Sequence, residues 1–177
     1  MRAYKNRFPK IHETVWIDPA ATVIGDVVIG ADSSVWPATV IRGDVNSIRI
    51  GQRSSIQDGS VIHVTHRSDW NPDGYATHIG DNVTIGHKVI LHGCMVEDLC
   101  LIGMGSIILD GAVIRKHTLI GAGSLVPPGK ELEGGFLWLG SPVRKIRELS
   151  AQEIEHFTYS AAHYVRLKND YIQPHQD

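Results

Sequence analysis

An aliphatic residue recurs at every sixth position along most of this 177-residue chain. The series runs through Ile17, Val23, Ile29, Val35 and Ile41, then Ile50, Ile56 and Ile62, then Ile79, Ile85 and Leu91. It ends with Val96, Ile102, Ile108, Ile114, Ile120 and Val126. The residue four later is often small or β-branched, as at Ala21, Ser33, Thr39, Ser54, Ser60 and Ser106, and glycine often follows the aliphatic directly, as at Gly30, Gly51, Gly80 and Gly103. An amphipathic helix would space its apolar residues by three and four. A period of six suits a short strand, a corner and another short strand, which is the pattern of a parallel β-helix.

The period breaks in three places. Ile41 to Ile50 spans nine residues, Leu91 to Val96 five and Ile62 to Ile79 seventeen. The longest break is a loop of about His66 to His78, with Trp70 and Tyr75 as candidate covers for a pocket or as surface anchors. Loops on rigid scaffolds often carry function. The chain is expected to be a single domain over residues 1–177: an irregular lead-in to about 15, a β-helix over about 16–129, a crossover over about 130–147 and a helix over about 150–172. Pro127, Pro128 and Gly129 are expected to stop the repeat. Ser150 and Glu153 form a capping box, followed by an apolar stripe of Ile154, Phe157, Ala161, Tyr164 and Val165.

The formal net charge of −2 gives no case for nucleic acid or an anionic membrane, and no apolar run is long enough to span a bilayer. The opening MRAYKNRFPK lacks the apolar segment of a secretory signal. Cys94 and Cys100 make no disulfide framework and fit a reducing cytoplasm.

Counting hexads places the histidines. Ile41, Ile62 and Leu91 are successive residues of one face, each a full coil apart. Arg42, His63 and His92 follow them directly and form a column, at roughly 4.8 Å per coil. Ile56 and Ile85 are also one coil apart, so Asp58 precedes His87 by a coil on another face, with Gln57 beside it. His63 and His92 can reach one ion. A three-fold assembly would bring His87 of a neighbour against them, giving three histidines and an open position, the pattern of catalytic zinc sites.

The segments Arg42-Gly43-Asp44, Gln57-Asp58-Gly59, His63, Gly86-His87 and Leu91-His92-Gly93 resemble the gamma-class carbonic anhydrase family. The likeness covers nearly the whole chain, including Gly140-Ser141-Pro142 and the terminal helix with Tyr159. It implies an all-β fold, a left-handed parallel β-helix with a C-terminal α-helix, assembled as a homotrimer with zinc shared between subunits. His63 and His92 of one chain and His87 of the next would bind the metal. Gln57 would orient a metal-bound hydroxide, Arg42, Asp44 and Asp58 would organise the pocket, and Tyr159 would reach it. The implied reaction is reversible hydration of CO2 to bicarbonate.

Val45 follows Asp44, and Val64, Thr65 and His66 follow His63, where the family's active archetype carries acidic residues. The loop offers Asp69 and Asp73 but no glutamate, leaving His66 and His78 as candidate proton shuttles, since free histidine titrates near neutrality. The hydration is therefore expected to be slow. A metal-dependent hydrolase of thioesters such as acyl-CoA and a non-catalytic trimeric zinc protein remain open. Iron, cobalt or another divalent metal would also suit a histidine site.

Overall fold

The computed structural model describes residues 1–172, and it is a parallel β-helix closed by one helix, Ala151–Ile172. The aliphatic period becomes three interior columns, one for each face of the prism. Val23, Ile41, Ile62, Leu91, Ile108 and Val126 stack on the first face. Ile11, Ile29, Ile50, Ile79, Val96, Ile114 and Leu132 stack on the second. Ile17, Val35, Ile56, Ile85, Ile102, Ile120 and Trp138 stack on the third. Nearly all of these side chains are buried, so one core runs the length of the coil.

Two strands, Thr22–Ile29 and Val40–Ile50, continue around the edge between the first and second faces. The nine-residue spacing from Ile41 to Ile50 is thus absorbed by continuous strand and a register shift. Glycine directly after the aliphatic meets a different demand: a Cβ on Gly51 would lie 2.6 Å from the carbonyl carbon of Gly80. Three residues after the aliphatic, the backbone turns through positive φ at nearly every corner, at Asp32, Arg53, Asn82, Leu99 and His117 as well as Gly105 and Gly129.

The coil is longer than the sequence period suggested. Lys10–Ile11, in the expected irregular lead-in, pairs in parallel with Val28–Ile29. At the other end Pro127-Pro128-Gly129 does not stop the repeat: Glu131–Leu132 pairs with Val113–Ile114, and Leu137 and Trp138 pair with Leu119 and Ile120. Leu125–Val126 is the last strand of its face, so Pro127 has no further coil to which its missing N–H would donate. The expected crossover is instead a final coil followed by an antiparallel hairpin, Phe136–Gly140 against Val143–Glu148.

The helix starts at the expected capping box. The Ser150 amide donates to Glu153 Oε2 at 2.8 Å, and the Glu153 amide to Ser150 Oγ at 3.3 Å. It packs on the third face, whose outward ladder is small at Ser34, Ser55 and Thr84. Ser160 Oγ meets Thr84 Oγ1 at 2.8 Å, and Tyr164 and Tyr171 pack on Trp36. Lys168 is buried beneath the helix, 3.3 Å from Asp32.

Candidate metal centre

Strand alternation turns the residue after each core aliphatic outward. On the first face this makes Arg42, His63 and His92 neighbours in successive coils, and His63 and His92 are in direct register. His63 Nδ1 and His92 Nε2 face each other at 3.0 Å. Each ring is held from behind by a carboxylate. Asp44 Oδ1 lies 3.0 Å from His63 Nε2, and Asp110 Oδ1 lies 2.6 Å from His92 Nδ1.

Those carboxylates already accept other hydrogen bonds. Asp44 takes one from Arg42 and one from the Val45 amide at 2.8 Å, and Asp110 takes one from Thr65 Oγ1 at 2.6 Å. Ionised carboxylates only accept, so each neutral histidine carries its proton on the nitrogen facing its aspartate. In that pair of tautomers the two remaining nitrogens face each other as lone pairs at 3.0 Å, a contact that a proton on either nitrogen would turn into a hydrogen bond. Burial, opposed by the bond to Asp44, leaves the His63 pKa below the ordinary histidine value, which favours the neutral ring. Burial pushes the Asp44 carboxyl up, but the bonds from Arg42, His63 and the Val45 amide outweigh it, and its pKa is lowered.

The rest of the expected constellation lies elsewhere on the chain. Gln57, Asp58 and His87 sit where the third face turns toward the first, just after Ser55–Ile56 and Thr84–Ile85. His87 Nδ1 is 2.8 Å from Asp58 Oδ2, so this histidine too is backed by a carboxylate. Gln57 is only 4 % exposed, yet it lines a cavity of about 360 Å³ with His87, Met104, His156, Ser160 and Tyr164. Among the described residues of one chain, no three metal-ligating side chains converge.

Tyr159 does not line this cavity. It is 61 % exposed and lies against His156 and His163 on the outer side of the helix. Tyr164, five residues on, is the helix tyrosine that faces Gln57. His66 lines a different cavity of about 480 Å³, with Asp44, Arg67 and the turn containing Lys5 and Arg7. His78 stands on the second face between Arg49 and Met95, and burial together with Arg49 lowers its pKa. The His66–His78 loop folds on itself through Thr65 and Tyr75. Tyr75 lies against Gly93 and Gly111, while Trp70 at the tip is 97 % exposed and covers no pocket within this chain. The sequence pattern did not point to Asp110 or Thr65, and it put Tyr164 on the apolar stripe of the helix without linking it to Gln57.

The fold and the carboxylate-backed histidines define a hexapeptide-repeat β-helix protein with a candidate metal centre. Comparison with known proteins agrees on the fold. The family model described as bacterial transferase hexapeptide (six repeats) matches residues 8–43. Protein YrdA of Escherichia coli is 55 % identical over 97 % of this chain and 94 % of that protein. A carbonic anhydrase of Geobacillus kaustophilus is 44 % identical over 98 % of this chain and 87 % of its own. Mitochondrial gamma carbonic anhydrase 1 of Arabidopsis thaliana is 44 % identical over 92 % of this chain but 58 % of its own length. A hexapeptide transferase family protein from Anaplasma phagocytophilum superposes with a TM-score of 0.89 at 39 % identity, covering 96 % of each chain. The chain belongs to the gamma carbonic anhydrase family.

Proposed function

We propose that the protein is a homotrimer that hydrates CO2 to bicarbonate at divalent-metal sites shared between adjacent subunits. The observation that carries this reading is the pair of facing nitrogens. Two lone pairs at 3.0 Å repel unless a cation or proton lies between them. Donors at 2.0–2.1 Å from one tetrahedral ion stand about 3.3 Å apart, so a small adjustment of the rings accommodates zinc. The donor set therefore fits the metal that the family implies. His63 and His92 would hold it from one chain and His87 from the next, and each has a carboxylate of the kind that orients metal-binding histidines. The neutral imidazoles would also accept iron or cobalt.

The trimer is supported by how differently the three faces are finished. The helix covers the third. The second mixes polar and apolar groups outward, Arg49, His78, Met95, Val113 and Glu131, so it carries no continuous aliphatic stripe. The first has an outward ladder of Val40, Val61, Ile90, Ile107 and Leu125, and within this chain Val61 and Ile90 are each 38 % exposed. A continuous aliphatic stripe of this kind marks a protein interface. It runs beside the His63–His92 pair, so burying it against a neighbour would bring a second chain to the metal site.

A bound divalent ion would polarise water and lower its pKa toward neutrality. The chain's own residues would do the rest. Arg42 holds Asp44 as a carboxylate, and Asp44 holds the proton of His63 away from the site. Gln57 supplies a carboxamide to orient the reacting water, and Tyr164 faces it across the cavity. Each hydration releases one proton, and His66, lining the cavity that Asp44 borders, is the group we assign to carry it outward. His78 is a weaker candidate for that task because it stands on the second face.

The test is stopped-flow CO2 hydration on protein of known metal content, with His92→Ala as control. Activity that follows metal loading and disappears in the variant supports the reading. A fully metallated trimer without activity would contradict it and leave the metal with a structural role or another substrate, such as a thioester.

A further inference from the structure

The base of the long loop is tied to one of the proposed metal ligands through a residue outside the family motifs named above. Asp110 follows the strand Ile107–Ile108, one coil beyond Ile90–His92. One carboxylate oxygen lies 2.6 Å from His92 Nδ1, and the other accepts the Thr65 hydroxyl at 2.6 Å. Thr65 is where the chain leaves the coil after His63, and its backbone pairs with Tyr75 at the loop's return. The Asn46 side chain holds both stems by donating to the carbonyls of Thr65 and Asp73, at 3.1 and 3.2 Å. At the return, Thr77 Oγ1 donates to the His63 carbonyl at 2.6 Å and accepts from the Gly93 amide at 3.0 Å. Both stems therefore end on the two histidines or their immediate supports.

We infer that Thr65 and Asp110 are positioning residues for the metal site: Thr65 fixes the Asp110 carboxylate, and Asp110 fixes the ring orientation and tautomer of His92. The inference rests on the metal reading above. With both Asp110 oxygens engaged as acceptors, the His92 proton stays on Nδ1 and Nε2 stays bare toward His63. Removing the Thr65 hydroxyl frees one carboxylate oxygen and lets the carboxylate rotate. Removing the charge of Asp110 leaves a carboxamide whose NH2 can donate, so the opposite tautomer, with its proton on Nε2, becomes competitive. That proton occupies the position a cation needs. The loop, with Trp70 at its tip, thereby gains a mechanical connection to metal affinity although it contributes no ligand.

The test is zinc affinity by chelator competition on the purified assembled protein for wild type, Thr65→Ser, Thr65→Val and Asp110→Asn. Nitrogen-15 NMR of the metal-free wild type reports the His92 tautomer. Loss of such an outer partner typically weakens metal binding 10–100-fold. We expect about that loss for Asp110→Asn, a smaller loss for Thr65→Val, recovery in Thr65→Ser and a His92 proton on Nδ1. Wild-type affinity in both Thr65→Val and Asp110→Asn would overturn the inference, as would a His92 proton on Nε2. If Asp110→Asn does not fold, the near-isosteric Thr65→Val and Thr65→Ser pair decides alone. Wild type that binds no zinc would instead refute the metal reading.

Discussion

The histidines were legible in the sequence because a hexad count fixes both face and coil. Counting Ile41, Ile62 and Leu91 as one column put Arg42, His63 and His92 side by side, and the strand register shows them so. The same count pairs Leu91 with Ile108, which sets Asp110 one coil beyond Gly93 and one residue past direct register with His92. That diagonal contact depends on side-chain direction at the corner, and a period carries no record of it. Tyr164 was already on the apolar stripe of the helix and Tyr159 was not, so periodicity favoured the residue that faces Gln57. Glycines divide along the same lines. An added methyl at Gly51 meets the backbone of Gly80, whereas one at Gly105, at φ 69°, meets nothing within 4 Å. Overpacking makes Gly51→Ala cost about 1–3 kcal/mol or more. Gly105→Ala bears roughly 1–2 kcal/mol of backbone strain, partly offset by about 0.4–1 kcal/mol from a stiffer unfolded chain. Urea melts at one fixed protein concentration should rank Gly51→Ala as the less stable, and equal midpoints would contradict the packing account.

At the scale of elements, strands and helix were predictable where local chemistry decides and were missed where neighbours decide. Pro127-Pro128-Gly129 reads as a terminator, yet Leu132 and Trp138 extend the six-residue period beyond it, because the proline follows an edge strand. The helix start depends only on local residues, and it is where the capping box put it. Glu153 there is held at about 2 by Arg147 and by the Ser150 amide. Its pKa in the folded state lies below that of a free glutamate, near 4.3. Its stabilising effect is therefore complete above the free value and is lost as pH falls toward 2. Glu153→Gln should lower the melting temperature at pH 6 and lower it much less at pH 2, where Glu153 is about half protonated. A difference as large at pH 2 as at pH 6 would mean that the side chain acts through packing rather than charge.

For the whole molecule, the proposed metal site requires two chains to meet, because its three histidines lie on separate parts of one chain. His63, His92 and their aspartates lie beside the aliphatic ladder of the first face, while His87, Asp58 and Gln57 lie at the edge where the third face turns toward it. Ile90→Glu places a charge in the middle of that ladder while the core behind it, Leu91 and Ile62, is untouched. Light scattering should then find a smaller species with unchanged β circular dichroism, and it should have lost its metal. A trimer that survives the substitution would move the interface to another face.

The most direct test of the proposed shared site mixes two variant chains. His63→Ala and His87→Ala subunits, purified apart and reassembled together, are assayed for bound metal. Ligands from two chains predict that mixed trimers regain metal at interfaces where an intact His63–His92 pair meets an intact His87, above the level of either variant alone. Metal binding that stays at the level of the separate variants, in trimers shown to be mixed, would contradict the account.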